Sequence, residues 1–280
     1  MNKGLSWFVL TLLILGYLFL YGPILSLIVY SFNVSKLVTV WGGFSTKWYG
    51  VLVNDDAILR AVRLSFLIAG MSATLAAILG TMAGYVLARF RSFKGRLLFT
   101  GMVSAPLVMP EVITGLSMLL LFVSMEQIFG WPAGRGKTTI IIAHTTFCLT
   151  YVAVILQARL AQLDQSLEEA AMDLGCRPLK TFFVITLPII APAIVSGWLL
   201  AFTLSLDDVV ISSFTTGPGA TTLPMEVFSR VRLGLNPEIN ALATIIISVV
   251  ATGILIASIV MNRQEKRRQR DIQMAIAANK

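Results

Sequence analysis

The chain has 280 residues, of which 56% are hydrophobic and only 13% are charged. Soluble domains carry about a quarter charged residues, so the composition excludes an ordinary soluble globule and indicates a protein of the lipid bilayer. A net charge of +8 would suit nucleic-acid binding, but the basic residues form short clusters beside apolar stretches, as membrane topology requires. We therefore expect lipid, and no nucleic acid, as a partner.

Six apolar stretches are long enough to cross a hydrocarbon core, which takes about 20 helical residues. They are 5–30, 64–88, 97–125, 138–158, 181–206 and 239–262, and among them only 97–125 contains a charged residue, Glu111. The sequence thus predicts an all-α polytopic membrane protein with six transmembrane helices. We expect a single domain over 1–280, with a core at about 61–262.

The first stretch has two interpretations. Lys3 before an apolar run suits a cleavable signal peptide, but the run is longer than a signal-peptide core and no small-residue cleavage site follows it. We therefore expect a retained anchor helix at 5–30.

Basic residues accumulate on one side of the predicted spans. Fourteen of the 22 lysines and arginines fall in the N-terminal segment, in the loops after spans two and four, and in the tail 263–280. Because positive residues concentrate in cytoplasmic segments, both termini are predicted to be cytoplasmic, with the tail as a topology anchor at lipid headgroups. The segments 31–63 and 207–238 then lie outside, where we expect compact irregular structure.

Prolines four residues apart occur in two spans, as Pro106 with Pro110 and as Pro188 with Pro192. This spacing places both rings on one helix face, and each proline removes an internal hydrogen bond and kinks the helix. Kinks beside a transport pathway and ordinary packing irregularity are both consistent with the pattern.

Several patterns do not support catalysis or a cofactor. The stretch from Gly130 to Thr138 is one residue too long for a phosphate-binding P-loop and follows no predicted strand. His144 is the only histidine; a proton relay and an interhelical hydrogen bond are both open, and no spacing supports a hydrolase. Cys148 and Cys176 give neither a disulfide framework nor a metal site. We expect no catalytic residue and no metal ligand.

The loop after the fourth span, 159–180, and the residues that follow it carry the most specific signal. Residues 166–188 read SLEEAAMDLGCRPLKTFFVITLP. Ser166 and Glu169 have the spacing of a capping box, which predicts a helix beginning at Leu167. Gly175 is placed to end that helix in the left-handed conformation, and Pro178 suits the first turn of the next one.

This short helix is predicted to be amphipathic. Helical spacing places one set of small and apolar residues on a single face and turns Glu168 and Asp173 away from it; the set is Leu167, Ala170, Ala171 and Leu174. Helix physics alone leaves open whether the segment is a solvated connector or a contact surface.

The spacing of this loop resembles the EAA loop of type I permease subunits of ABC importers. The matching positions are Glu169, Ala170, Ala171, Gly175, Ile185, Leu187 and Pro188. In that family the loop helix sits in a cleft of a separate ATPase subunit and carries its motion to the membrane. The resemblance implies the same role here, in a bacterial inner membrane, with ATP and Mg²⁺ bound by the ATPase and no cofactor bound by this chain.

Three acidic residues are out of place in a bilayer protein. Glu111 lies in an apolar span, where a carboxylate costs about 3 kcal/mol on insertion scales. Asp207 and Asp208 are adjacent like charges, which favour a nearby cation. With Trp48 and Trp41 in the first outer segment, they offer the carboxylates and aromatic faces that bind organic ammonium ions. Interfacial aromatic residues, a simple helix end and a protonated Glu111 would explain the same residues without a ligand.

The stretches 31–50, 105–117, 197–224 and 236–245 resemble the polyamine branch of these permeases, and putrescine is the substrate that the resemblance favours. It implies a heterodimer with a second permease, an ATPase dimer and a periplasmic polyamine-binding protein. The pathway positions that carry over are Trp48, Glu111, Asp207 and Asp208; relatives often have aspartate at the position of Glu111. An oxyanion importer, a stand-alone carrier or channel, and a membrane enzyme using His144 remain as alternatives.

Overall fold

The computed structural model describes residues 7–37, 40–90, 92–234 and 237–253, with 255 and 259. Twelve helices follow one another in these residues: α1 Trp7–Tyr30, α2 Lys47–Val53, α3 Asp56–Arg89, α4 Arg96–Val108, α5 Glu111–Phe129, α6 Lys137–Ala161, α7 Ser166–Asp173, α8 Pro178–Thr181, α9 Leu187–Asp207, α10 Val210–Thr215, α11 Leu223–Leu233 and α12 Pro237–Gly253. A π-helical turn, Phe182–Thr186, joins α8 to α9. The described residues contain no β-strand, so the all-α prediction is confirmed.

Five segments of the described chain are long and apolar enough to cross a membrane: α1, α3, α5, α6 and the continuous segment Pro178–Asp207. The shorter α12 covers the first part of the sixth predicted span. The remainder of that span lies largely outside the described residues, and the tail 263–280 lies wholly outside them.

The prediction of one continuous helix over 97–125 is wrong. Met109 and Pro110 adopt extended backbone conformations, with ψ of 136° and 137°, and separate α4 from α5. Proline disfavours the helical conformation for the residue before it, so Met109 ends α4 and Glu111 becomes the first residue of α5. Pro106, in contrast, lies inside α4.

The two predicted outer segments contain more helix than expected. α2 and the start of α3 occupy part of 31–63, and α10 and α11 occupy part of 207–238. The sequence pattern missed α2 and α10 because they are only 7 and 6 residues long, which is too short for a clear period of 3.6.

The chain divides into two compact units, Met1–Asp56 with Arg230–Lys280, and Ala57–Ser229. The single domain predicted above stays a prediction. In the first unit, the side chain of Asn33 organises the segment after α1: its Nδ2 donates to the Val40 carbonyl at 2.7 Å and its Oδ1 accepts from the Gly42 amide at 2.8 Å. Arg230 forms salt bridges with Asp55 and Glu238 in the same unit.

In the second unit, α6 is the central helix. Its side chains Cys148, Val152 and Leu156 are fully buried in one core cluster with Ile190 and Ala201 of α9. Cys148 Sγ donates to the Ala201 carbonyl at 3.4 Å. Because these three residues are spaced by four, they form one stripe along α6, and this stripe packs against α9.

Small residues let α3 approach α6 closely. A Cβ added to Gly80 would lie 2.7 Å from Val152 Cβ, and one added to Gly84 would lie 2.8 Å from the Ala153 carbonyl oxygen. These distances leave no room for a side chain at either position. Close backbone approach through small residues is the usual basis of helix packing within membranes, where burial of apolar surface contributes little.

The loop after α6 confirms two local predictions and corrects one. Gly175 has φ of +85° and ends α7, and Pro178 begins α8. The Cys176 amide donates to the Ala171 carbonyl at 3.0 Å, as in a Schellman motif. The predicted capping box is wrong: Ser166 lies inside the helix, and its amide donates to Asp164 Oδ1 at 3.0 Å. Asp164, one residue before the N-cap position Gln165, therefore satisfies the first amide of α7 and acts as its side-chain cap.

Candidate functional site

The short helix α7 is attached to the bundle by Glu168, the residue that sequence periodicity turned away from the apolar face. Glu168 Oε1 accepts from Arg89 Nη2 at 2.9 Å and from Thr186 Oγ1 at 2.8 Å. Arg89 Nη1 also donates to the Leu160 carbonyl at 3.1 Å. Sequence reasoning missed this cluster because its members come from four separate segments.

Of the residues on the predicted apolar face of α7, one is buried and the others are exposed. Ala171 is buried, whereas Leu167 is 50% exposed and Leu174 is 88% exposed. Ala170 and Glu169 are also exposed. The stripe that carries Leu167, Ala170 and Leu174 is therefore available to a partner, while Ala171 and Glu168 are occupied by the packing of α7 onto the bundle.

The remaining predicted coupling residues lie beyond α8. Ile185 is half-buried in the π-helical turn, and Leu187 and Pro188 are the first two residues of α9. The loop signature therefore extends from α7 to the start of a membrane-length helix.

A second polar cluster surrounds His144 in the middle of α6. Its Nδ1 lies 2.7 Å from Ser205 Oγ, and its Nε2 lies 3.2 Å from Asp208 Oδ2 and 3.0 Å from Ser212 Oγ. The interhelical hydrogen-bonding interpretation of His144 is confirmed. The sequence did not predict Asp208 as its partner, because the two residues lie on different helical segments.

Asp208 is a helix cap as well as the partner of His144. Its Oδ1 accepts from the Ile211 amide at 3.2 Å and its Oδ2 from the Ser212 amide at 2.7 Å, at the start of α10. The side chain of Asp208 is only 6% exposed. Its neighbour Asp207 is exposed at the end of α9, so the two adjacent aspartates have different surroundings.

Glu111 is exposed as the first residue of α5, immediately after the break at Pro110. A carboxylate at a helix N-terminus is stabilised by the unpaired amides and the helix dipole. The break thus explains how a carboxylate is accommodated within an apolar stretch.

Trp48 is not presented at the surface of its unit. It is 4% exposed, and its indole nitrogen donates to the Asn33 carbonyl at 2.7 Å. The neighbouring Trp41 is 48% exposed and packs edge-on against Tyr30, with ring centroids 6.1 Å apart.

A bundle of membrane-length helices, with a short amphipathic helix on an interhelical loop and carboxylates at helix ends, is the architecture of a polytopic membrane permease. The sequence matches the family described as "Binding-protein-dependent transport system inner membrane component" over residues 76–270. The chain belongs to this family. It is a permease subunit of an ABC importer, and hydrolysis of ATP takes place in a separate subunit of such importers.

The names of similar proteins state a substrate. The chain is 64% identical to the putrescine transport system permease protein PotI of Escherichia coli (strain K12), with 95% of each chain covered. It is 40% identical to the spermidine/putrescine transport system permease protein PotC of the same strain, with 90% of this chain and 92% of the relative covered.

Solved structures support the fold. A bacterial ABC transporter involved in the import of the acidic polysaccharide alginate has a chain with a TM-score of 0.66 and 16% identity, covering 90% of this chain and 93% of that one. The MetNI methionine ABC transporter gives a TM-score of 0.59, with 71% of this chain and 92% of that one covered. At 16% identity these likenesses show the fold alone.

Proposed function

We propose that this chain is one permease of an ATP-driven importer that carries a polyamine cation, putrescine first among them, from the periplasm to the cytoplasm. The observation that carries the proposal is the 64% identity to a putrescine permease over 95% of both chains. Exposed carboxylates within a mainly apolar bundle support it, because a diamine that sheds water needs anionic partners.

Within the substrate path, we assign different roles to the predicted residues. Glu111 and Asp207 are exposed, so their carboxylates are free to meet a cation. Asp208 is engaged with His144 and the amides of α10, so it acts by holding the end of α9 in place. Trp48 acts by ordering the segment after α1 through its bond to Asn33.

The exposed face of α7 is the proposed contact for the ATPase. Leu167, Ala170 and Leu174 offer an apolar patch, and the exposed Glu169 offers a charge beside it. We further propose that α7 and both termini face the cytoplasm, where the ATPase dimer binds ATP and Mg²⁺, and that this chain binds no cofactor of its own. A second permease and a periplasmic polyamine-binding protein complete the complex.

Uptake of radiolabelled putrescine by the reconstituted complex tests the substrate. We expect Glu111→Gln and Asp207→Asn each to lower uptake about tenfold, since each removes a charge-assisted contact with the cation. Glu126→Gln is the matched control, because Glu126 lies at the other end of α5 and its contact with the Gly134 amide survives in glutamine. That variant should transport normally.

Competition distinguishes the substrate classes. Excess unlabelled spermidine or cadaverine should reduce putrescine uptake, and sulfate or molybdate should not. Uptake of an oxyanion, or unchanged putrescine uptake in both carboxylate variants, would contradict the proposed cation path. Transport by this chain without an ATPase would instead indicate a stand-alone carrier.

A further inference from the structure

The Glu168 cluster, consisting of Arg89, Leu160, Glu168 and Thr186, joins four segments at one carboxylate. Arg89 is the last residue of α3, Leu160 is next to last in α6, Glu168 lies on α7, and Thr186 ends the π-helical turn. Both hydrogen bonds to Glu168 end on the same oxygen, Oε1, at 2.9 Å and 2.8 Å. One side chain of α7 therefore contacts both α3 and the segment that leads into α9.

The cluster is largely shielded from solvent. The side chains of Arg89 and Glu168 are 9% and 13% exposed, and Thr186 is 1% exposed. Charge-assisted hydrogen bonds are strong where water is excluded, and a guanidinium fork fixes their direction. Loss of Glu168 would leave the Arg89 charge buried without its counter-ion, so this contact resists separation.

The cluster lies on a different stripe of α7 from the surface offered to a partner. Leu167, Ala170 and Leu174 are exposed, whereas Glu168 and Ala171 point into the bundle. A force applied to the exposed face reaches the rest of the chain through these inner contacts as well as through the backbone on either side of α7. Among these, the Glu168 bonds are directional, while Ala171 contributes only its small apolar surface.

The two segments bound by Glu168 also contact each other. Tyr85 of α3 packs edge-on against Phe182 of the π-helical turn, with ring centroids 5.2 Å apart. π-Helical turns within α-helices occur frequently at functional sites. A displacement of Glu168 would act directly on both sides of this aromatic contact.

We propose that Glu168 is a positioning residue that transmits movement of α7 to the end of α3 and, through Thr186, to the start of α9. This inference rests on the proposed function, because α7 is displaced only where an ATPase binds it. Glu168 acts through Arg89 and Thr186 rather than by touching the ATPase or the substrate. Its loss should therefore separate ATP hydrolysis from transport while the complex stays assembled.

The test measures putrescine uptake and ATP hydrolysis in the same reconstituted complex, for two pairs of variants. Glu168→Ala removes both hydrogen bonds, and its control Asp173→Ala removes an exposed carboxylate from the same helix. Thr186→Val removes one hydroxyl at nearly constant volume, and its control Thr186→Ser retains a hydroxyl. We expect Glu168→Ala and Thr186→Val to lower the uptake per ATP hydrolysed, and both controls to remain close to the parent. For Glu168→Ala the decrease should be roughly tenfold or more, as expected for loss of a charge-assisted hydrogen bond.

The outcomes separate this inference from the proposed function. An unmodified complex that does not hydrolyse ATP or take up putrescine would contradict the proposed function. If Thr186→Val takes up as much putrescine per ATP hydrolysed as the parent, the role of Glu168 is overturned. An equal decrease of this ratio in Glu168→Ala and Asp173→Ala would overturn it too. Glu168 would instead be a docking contact if the ATPase no longer copurifies with Glu168→Ala while Thr186→Val keeps the normal uptake per ATP hydrolysed. If Glu168→Ala does not assemble, the comparison of Thr186→Val with Thr186→Ser decides.

Discussion

The imidazole Nε2 of His144 lies 3.2 Å from the carboxylate Oδ2 of Asp208, with both side chains almost completely buried. This contact connects the middle of α6 to the corner where α9 ends and α10 begins. Because Asp208 also accepts two backbone amides of α10, His144 helps to fix the direction in which the chain leaves α9. The neighbouring Asp207 is positioned by the same corner.

Removal of the imidazole should destabilise the protein. His144→Ala leaves the buried Ser205 and Ser212 hydroxyls without their imidazole partner, but Asp208 keeps its two amide donors. We therefore expect a loss of about 2 kcal/mol of unfolding free energy. Denaturant unfolding in detergent micelles measures this change. Thr146→Val is the control, because Thr146 is exposed on the same helix. Equal stability of His144→Ala and the parent would show that the cluster contributes nothing.

The close approach of α3 to α6 predicts opposite effects for two glycines of one helix. Gly84→Ala would place a Cβ 2.8 Å from the Ala153 carbonyl oxygen, so we expect a loss of about 2 kcal/mol from overpacking. Gly70 has no neighbouring atom within 4 Å of an added Cβ, so Gly70→Ala should stabilise by up to about 1 kcal/mol through helix propensity. Unfolding in the same micelles measures both, and a neutral Gly84→Ala would contradict the packing described here.

The cap of α7 should depend on pH. Hydrogen bonds from the Ser166 backbone and side chain lower the pKa of Asp164 below its usual value. Because the lowered pKa belongs to the folded state, the cap stabilises the helix above the ordinary aspartate pKa of about 3.9, and this contribution is lost as the pH falls through the lowered value. The chemical shift of the Ser166 amide, followed by NMR during acid titration, should report that transition.

An uncharged cap provides the control for this titration. Asp164→Asn retains an oxygen acceptor and has no carboxyl group, so the Ser166 amide should show no transition of its own over the same range. A midpoint at or above the ordinary aspartate pKa in the parent protein would contradict the assigned cap.

Helix ends that depend on residues adjacent in the sequence could be predicted, whereas side-chain contacts between residues far apart in the sequence could not. Gly175 and Pro178 follow rules that act within a few residues, and both were correctly placed. The break before Glu111 was within reach of the same rules, because Pro110 restricts Met109. It was missed because the apolar run on both sides suggested one continuous helix.

The candidate site was predicted only in part. Glu111 and Asp207 are exposed, as a cation path would require, whereas the burial of Trp48 depends on Asn33, 15 residues away. The contact between Glu168 and Arg89 spans 79 residues of sequence. On an isolated helix Glu168 belongs to the polar face with Asp173, and only the packing of α7 onto the bundle buries Glu168 while Asp173 stays exposed.

The π-helical turn Phe182–Thr186 affects the whole of α9. A π turn accommodates one residue more than an α turn, and each residue of an α-helix advances the azimuth by about 100°. Every side chain from Leu187 to Asp207 is thereby rotated around the axis relative to a helix that continued regularly from Pro178. The direction in which Asp207 projects from the α9 axis is thus set by the π-helical turn at the other end of the segment, next to Glu168.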